Sequence, residues 1–186
     1  MRSYEFITEL RQGLMRYVSD KFPNMPEYVA RDLIYNNSKM MTDEVMKTWT
    51  RYYGSLKWKY DPNFEMSFKV LDNETAYTVK DYMSRSDKPD QLYPKDAERY
   101  AKQREMIKQR GISKEPIIVE ESRDEPGKFA LLEGWHRTVE QLKAYPKGYT
   151  CAAYIGYRTE KSNLVAKRTP PTLWQKFTST VKNLIR

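Results

Sequence analysis

The chain has 186 residues and a mass of 22.2 kDa, with 39% hydrophobic, 31% charged and 13% aromatic residues. That composition excludes a disordered chain and leaves room for one well-cored domain with a helical appendage. The 33 Lys and Arg exceed the 25 Asp and Glu, for a net charge of +8, which suits nucleic acid, nucleotide phosphates or an anionic surface as partner. A lone cysteine, Cys151, and a lone histidine, His136, exclude an intramolecular disulfide and any Cys- or His-rich zinc site.

The opening stretch MRSYEFITELRQGLMRYV interleaves charges and has no apolar core segment. Neither a secretory signal nor a membrane span is expected there, and the reading is of a cytoplasmic protein. Phe6, Leu10, Leu14, Tyr17 and Val18 recur at helical spacing and predict an amphipathic helix over 3–20 with Ser3 as cap. FPNMP breaks it, and PEYVARDLIYNN predicts a second short helix with Pro26 at its first position. Residues 42–53 predict a third, capped by Thr42, carrying acids in its first turn and ended by Gly54.

Residues 56–71, LKWKYDPNFEMSFKVL, alternate apolar and polar in two pieces around Asp61-Pro62-Asn63, the pattern of a hairpin or of two short strands. NETAYTVKDYMSRS predicts a short helix capped by Asn73, and SDKPDQLYPKD is the main organisational boundary. Beyond it, AERYAKQREMIKQRG is a helix stopped by Gly111, EPIIVEE and GKFALLEG are strands joined through RDEPG, WHRTVEQLKAYP is a helix opening at Gly134, and YTCAAYIGYR is a closing strand. Cys151 in that apolar strand reads as a small buried hydrophobe. The tail RTPPTLWQKFTSTVKNLIR sets Leu173, Trp174, Phe177, Val181, Leu184 and Ile185 on one helical face, expected to pack on the same protein, with membrane-surface or partner docking as the alternatives.

The fold class is therefore α+β, divided into a helical region over 1–90 packed on the core, a small mixed α/β domain over 91–160, and a C-terminal amphipathic helix over 161–186. Within it the stretch LLEGWHRT carries the chemistry-bearing residues. A strand that ends at Gly134 and runs directly into a helix leaves that helix's first backbone N–H groups aimed off the strand end, an arrangement that attracts anions. Gly134 lets a phosphate approach the backbone, His136 and Arg137 add charge-assisted hydrogen bonds, and Thr138 offers a hydroxyl. Taken alone, the corner fits a structural role as well: Trp135 in the core, His136 at the surface, Arg137 paired with Glu140 or Glu133.

The order of AERYAKQREMIKQRGISKEPIIVEE, GKFALLEGWHRTVEQLKA and YTCAAYIGY, from about Pro94 to Tyr157, resembles the ParB/sulfiredoxin superfamily. The resemblance covers roughly a third of the chain. It implies a nucleotide at the corner, since sulfiredoxins and free-serine kinases of that superfamily use ATP and partition proteins bind and hydrolyse CTP. Gly-Trp-His-Arg is similar to the sulfiredoxin Gly-Cys-His-Arg, with Trp135 at the position of the catalytic cysteine; partition proteins have Gly-Glu-Arg-Arg. Trp135 cannot form a thiosulfinate, so sulfinic-acid reduction is not expected.

The resemblance further implies phosphate contacts from Gly134, Trp135, His136, Arg137 and Thr138, and from Arg99 and Lys102 on the first helix. Glu133 is the carboxylate best set to hold Mg²⁺ or accept a proton, ahead of Glu120 and Glu121. Lys108 and Arg110 close the first helix, where they also complement its dipole. The expected function is nucleoside triphosphate (ATP or CTP) binding with Mg²⁺, with Glu133, His136 and Arg137 serving hydrolysis or phosphoryl transfer. The alternative is a basic DNA-binding accessory protein without catalysis, its phosphate-tracking and base-stacking surface drawn from TWTRYYGSLKWKY. A docking protein that retains the fold without ligand is a third reading, and a homodimer is compatible with each.

Overall fold

The computed structural model describes residues 16–35 and 43–160. The first part of the helix expected over 3–20, the Thr42 cap and the amphipathic tail over 161–186 lie outside the described residues. The chain divides into two compact units, Met1–Lys57 with Arg158–Arg186, and Trp58–Tyr157.

In the first unit, residues 16–21 are helical, and the break at FPNMP is closed by the Phe22 N–H donating to the Val18 carbonyl at 2.8 Å. Pro26 opens the next helix as its cap, with ψ 141°, and not as its first helical residue. Its carbonyl accepts the Ala30 N–H at 2.9 Å, and a cap needs no N–H of its own. One turn, Glu27–Val29, widens into a π-helix over Ala30–Tyr35.

Helix α1, Asp43–Gly54, follows. Val18, Met25, Val29, Leu33 and Ile34 are buried in this unit, as are Met46, Thr50, Tyr53 and Leu56. The Phe22 ring lies where a Cβ on Gly54 would stand, so this glycine serves packing as well as helix termination. The Thr159 hydroxyl donates to the Ser55 carbonyl at 2.9 Å.

The second unit is an α+β fold with a four-stranded mixed sheet in the order β1-β4-β2-β3. The strands are β1 Lys57–Met66, β2 Ile117–Glu121, β3 Phe129–Glu133 and β4 Tyr149–Tyr157; the helices are α2 Asn73–Arg85, α3 Pro94–Arg110 and α4 Trp135–Ala144. β2 pairs antiparallel with β3 and parallel with β4. A Cβ on Gly148 would lie 2.7 Å from the Met66 carbonyl oxygen, while Tyr60 and Tyr154 rings meet at 5.0 Å. Residue numbers thus rise along β1 as they fall along β4, and the two run antiparallel.

Period-two burial on the central strands builds the core. Tyr149, Cys151, Ala153 and Ile155 of β4 join Ile117 and Val119 of β2 and Leu131 of β3 in one cluster with Val79, Tyr100, Val139 and Leu142 from the helices. Each such aliphatic side chain contributes about 1.5–3 kcal/mol of transfer free energy. α4 packs against both α2 and α3.

Three expectations are corrected here. Residues 57–66 form one strand through Pro62, with no hairpin at Asp61-Pro62-Asn63. β1 lies at the sheet edge, where a missing proline N–H breaks no ladder, and the Asn63 N–H is taken locally by the Asp61 carboxylate at 2.9 Å. Past the turn, Leu71 forms an isolated bridge to Phe129, the first residue of β3.

Asp72, not Asn73, caps α2, its Oδ1 accepting the Thr75 N–H at 2.8 Å. The Asn73 N–H, already in the helix, is taken by Glu125 at 2.7 Å. The units also divide at 57/58 and not near residue 90, because β1 and α2 contribute Phe64, Met66 and Val79 to the core completed by 91–157. Among the described residues no helix is long and apolar enough to cross a membrane.

Candidate functional site: the glycine corner of α4

β3 ends beside β2, with Glu133 opposite Ile118 and Leu131 opposite Val119. Leu132 is the extra residue of a β-bulge, which turns the strand end immediately before the corner. Gly134 then adopts φ 98°, ψ 19° as the cap of α4. A Cβ there would meet the Ile117 methyl at 2.8 Å, so both backbone conformation and space require glycine. The first turn of α4 contains no acid. The Thr138 N–H closes the first intrahelical bond to the Gly134 carbonyl at 2.9 Å, leaving the N–H groups of Trp135, His136 and Arg137 ahead of the ladder.

The side chains divide between rim and core. His136, 24% exposed, holds its Nε2 at 3.1 Å from Asp96 Oδ1, and its ring tilts against Tyr100 at 4.7 Å. Asp96 in turn lies 3.8 Å from the guanidinium of Arg99, which is 63% exposed. The first turn of α3 therefore meets the first turn of α4 through an Arg99–Asp96–His136 chain. Lys102 is exposed further along α3. Asp96 and Tyr100 were not singled out in the sequence; the available signal was that Asp96 is the sole acid in the first turn of α3, one turn from Arg99 and Tyr100.

Arg137 is 11% exposed, donates to the Pro116 carbonyl at 2.9 Å and pairs with the Glu115 carboxylate. It ties the start of α4 to the approach of β2, and its partner is neither Glu133 nor Glu140. Trp135 meets Tyr82 edge-to-face at 6.2 Å and packs on the core. Thr138 is fully buried, and the Tyr149 hydroxyl donates to its Oγ1 at 3.4 Å, which turns that hydroxyl into the core and away from a ligand at the corner.

Glu133 is half-buried at the corner itself. Glu120 and Glu121 lie opposite Ala130 and Phe129, toward the far end of β2, and are not brought to it. Lys108 and Arg110 are exposed in the last turn of α3, about 18 Å along the helix from Asp96. Among the described residues no group of three or more His, Cys, Asp or Glu forms a metal-binding cluster. A Mg²⁺ at the corner would accordingly take most of its oxygens from phosphate and water, with Glu133 or Asp96 as the protein ligand.

Behind the corner lies an ion network built on one buried carboxylate and reaching the surface at Asp87. Glu140, its side chain 2% exposed, accepts from Arg104 at 3.0 Å and lies 3.7 Å from Lys143. Arg104 also lies 3.2 Å from Asp87 and donates to the Ser86 carbonyl at 2.9 Å, while Lys143 reaches Asp87 at 2.6 Å and the Ser86 hydroxyl at 2.9 Å. The Lys143 hydrogen bond holds the Asp87 carboxyl below its ordinary range. This network fastens α4 to α3 and to the end of α2, and so fixes the direction in which the α4 N-terminus points. Cys151 is buried, and desolvation pushes its thiol up to about 12, which removes it as a nucleophile.

In comparisons with known proteins the chain matches no family model, no curated protein and no solved structure.

Proposed function

We propose that the chain binds a nucleoside triphosphate with Mg²⁺ at the Gly134 corner, as a ParB/sulfiredoxin-like nucleotide-binding protein, and that NTP hydrolysis or phosphoryl transfer follows. The observation that carries the reading is the corner itself: a left-handed glycine opening an acid-free helical turn, with His136 of that turn against Asp96 of α3 and Arg99 beside the same carboxylate. Backbone N–H groups of Trp135 and His136 would donate to phosphate oxygens, the His136 ring would add a hydrogen bond, and Arg99 and Lys102 would supply charge at the rim. Asp96 now occupies the histidine, and an incoming phosphate would displace it toward Arg99 or Mg²⁺. Glu133 is the second carboxylate available to the metal or to a proton. Phosphoryl transfer needs chiefly positioning and electrostatic stabilisation, which this set supplies without a nucleophile from the protein.

Arg137 has a different role in this reading. Its contacts with Glu115 and Pro116 make it a positioning residue that holds the corner on β2. The discriminating variants are therefore His136→Ala and Arg99→Ala, both near the surface. At 100 times the dissociation constant a nucleotide stabilises by about 2.7 kcal/mol, which for a chain of this length raises Tm by about 5–10 °C. ATP, CTP and GTP with Mg²⁺ should be compared by thermal shift, with at least one giving that rise in the wild type and little in either variant. No rise with any of the three would overturn the reading.

A further inference from the structure

We infer, resting on the nucleotide reading, that Tyr100 is a further binding residue of the same corner: its phenolic O–H donates to a phosphate oxygen of the bound ligand. Tyr100 is 1% exposed and ranks among the largest fully buried side chains. Its ring is held by aromatic neighbours on two other helices, Tyr82 of α2 at 6.3 Å and His136 of α4 at 4.7 Å. Its hydroxyl, however, makes no hydrogen bond among the described residues, whereas the buried Tyr149 hydroxyl is taken by Thr138. A buried donor left unpaired is destabilising, and at a candidate site a ligand that completes it accounts for its retention. Tyr82 makes no such demand, because it is half-buried and water can reach its hydroxyl.

The surroundings of the hydroxyl point to an anion. Tyr82, Tyr100 and His136 form one layer across α2, α3 and α4, and four residues further on Ser86, Arg104 and Glu140 form the next. The three helices therefore run parallel, and Tyr100 lies in the layer nearer their N-terminal ends, one turn past Asp96. Burial first, and then Tyr82 and the Asp96 and Glu140 carboxylates, push its phenol well above the usual range, so at neutral pH the hydroxyl remains a donor. Asp96, one of the carboxylates that act on it, also holds His136 Nε2 at 3.1 Å. A phosphate that takes the place of this carboxylate would meet the histidine ring, the first N–H groups of α4 and the Tyr100 hydroxyl together.

The test uses the full chain, with ATP, CTP and GTP in Mg²⁺ read by calorimetric titration and with melting in the absence of ligand. Two buried tyrosines separate binding from folding. Tyr100→Phe removes only an unpartnered oxygen, so its unliganded Tm should equal or exceed that of the wild type, while affinity for each nucleotide that binds should fall about tenfold or more. Tyr149→Phe removes the hydroxyl bonded to Thr138 and should lower Tm by about 2–4 °C. Its nucleotide affinity should stay within about twofold. Tripolyphosphate should compete with nucleotide, and its inhibition constant should rise by the same factor in Tyr100→Phe, which a contact to sugar or base would not give.

Wild-type binding that Tyr100→Phe leaves unchanged would overturn the assignment while the nucleotide reading stands. A lower unliganded Tm in Tyr100→Phe would give the hydroxyl to the fold and overturn it as well, as would tripolyphosphate inhibition that is absent or equal in both proteins. No nucleotide binding by the wild type would overturn both the assignment and the reading on which it rests.

Discussion

Gly134 meets two demands that can be separated by substitution. Its φ of 98° is costly for any residue with a Cβ, and the Ile117 methyl stands 2.8 Å from where that atom would be. Gly127, at φ 76°, has the same conformational demand with nothing within 4 Å. Gly134→Ala should therefore cost about 2–4 kcal/mol and Gly127→Ala about 1–2 kcal/mol, read as shifts in the urea midpoint at constant m-value. Equal costs would mean that packing against Ile117 contributes nothing.

The same corner shows which residue-level facts a sequence carries. A glycine between an apolar strand and an amphipathic run is local information, and it located the corner. The partners of His136 and Arg137 are not local: Asp96 lies 40 positions away and Glu115 22. Short-range spacing offers Glu133 or Glu140 to Arg137, but the tertiary fold commits Glu140 to Arg104 and Lys143.

At the scale of elements, those with strong periodicity and clear stops were legible: α3 from Ala97 to its stop at Gly111, though not its first turn Pro94–Asp96, which reads as connection, and β2, β3, α4 and β4. β1 was not, because Pro62 reads as a turn unless the strand is known to lie at an edge, and edge position is fixed by pairing with β4. β4 and α3 also give the fold its alkaline limit. Burial raises the Cys151 thiol from 9.0 to about 12 and raises the Tyr149 and Tyr100 phenols above their ordinary 10.0.

Each of these groups is charged when deprotonated, so the folded state retains protons that the unfolded chain releases. Their contribution is complete below pH 9, where both states are protonated, and is lost as pH rises toward the folded values. The urea midpoint should fall from about pH 9 upward, starting with the cysteine and steepening near pH 10 as unfolded tyrosines ionise. Cys151→Ala should delay the onset to about pH 10. An unchanged onset would show that the thiol is not buried in its neutral form.

At the scale of the whole molecule, the boundary between units was misread because composition changes most at the Pro- and Asp-rich connection around residues 86–96, whereas a domain is defined by which residues share a core. Phe64, Met66, Leu71 and Val79 lie before that connection yet bury with Ile117, Leu131, Val139 and Ile155 after it. Every member of the cluster falls within 58–157. The chain enters this unit on β1 and leaves it on β4, adjacent strands of one sheet, so excision cuts no crossover connection.

A segment of about 100 residues with its own core is of ordinary domain size and can supply about 5–15 kcal/mol of stability. Residues 58–157 expressed alone should accordingly unfold in one cooperative transition. Being neutral, with seventeen Lys and Arg against seventeen Asp and Glu, they should pass through a cation exchanger at pH 7 that retains the full chain. A fragment with helical circular dichroism but no cooperative transition would instead mean that the α/β core depends on the basic unit for its packing.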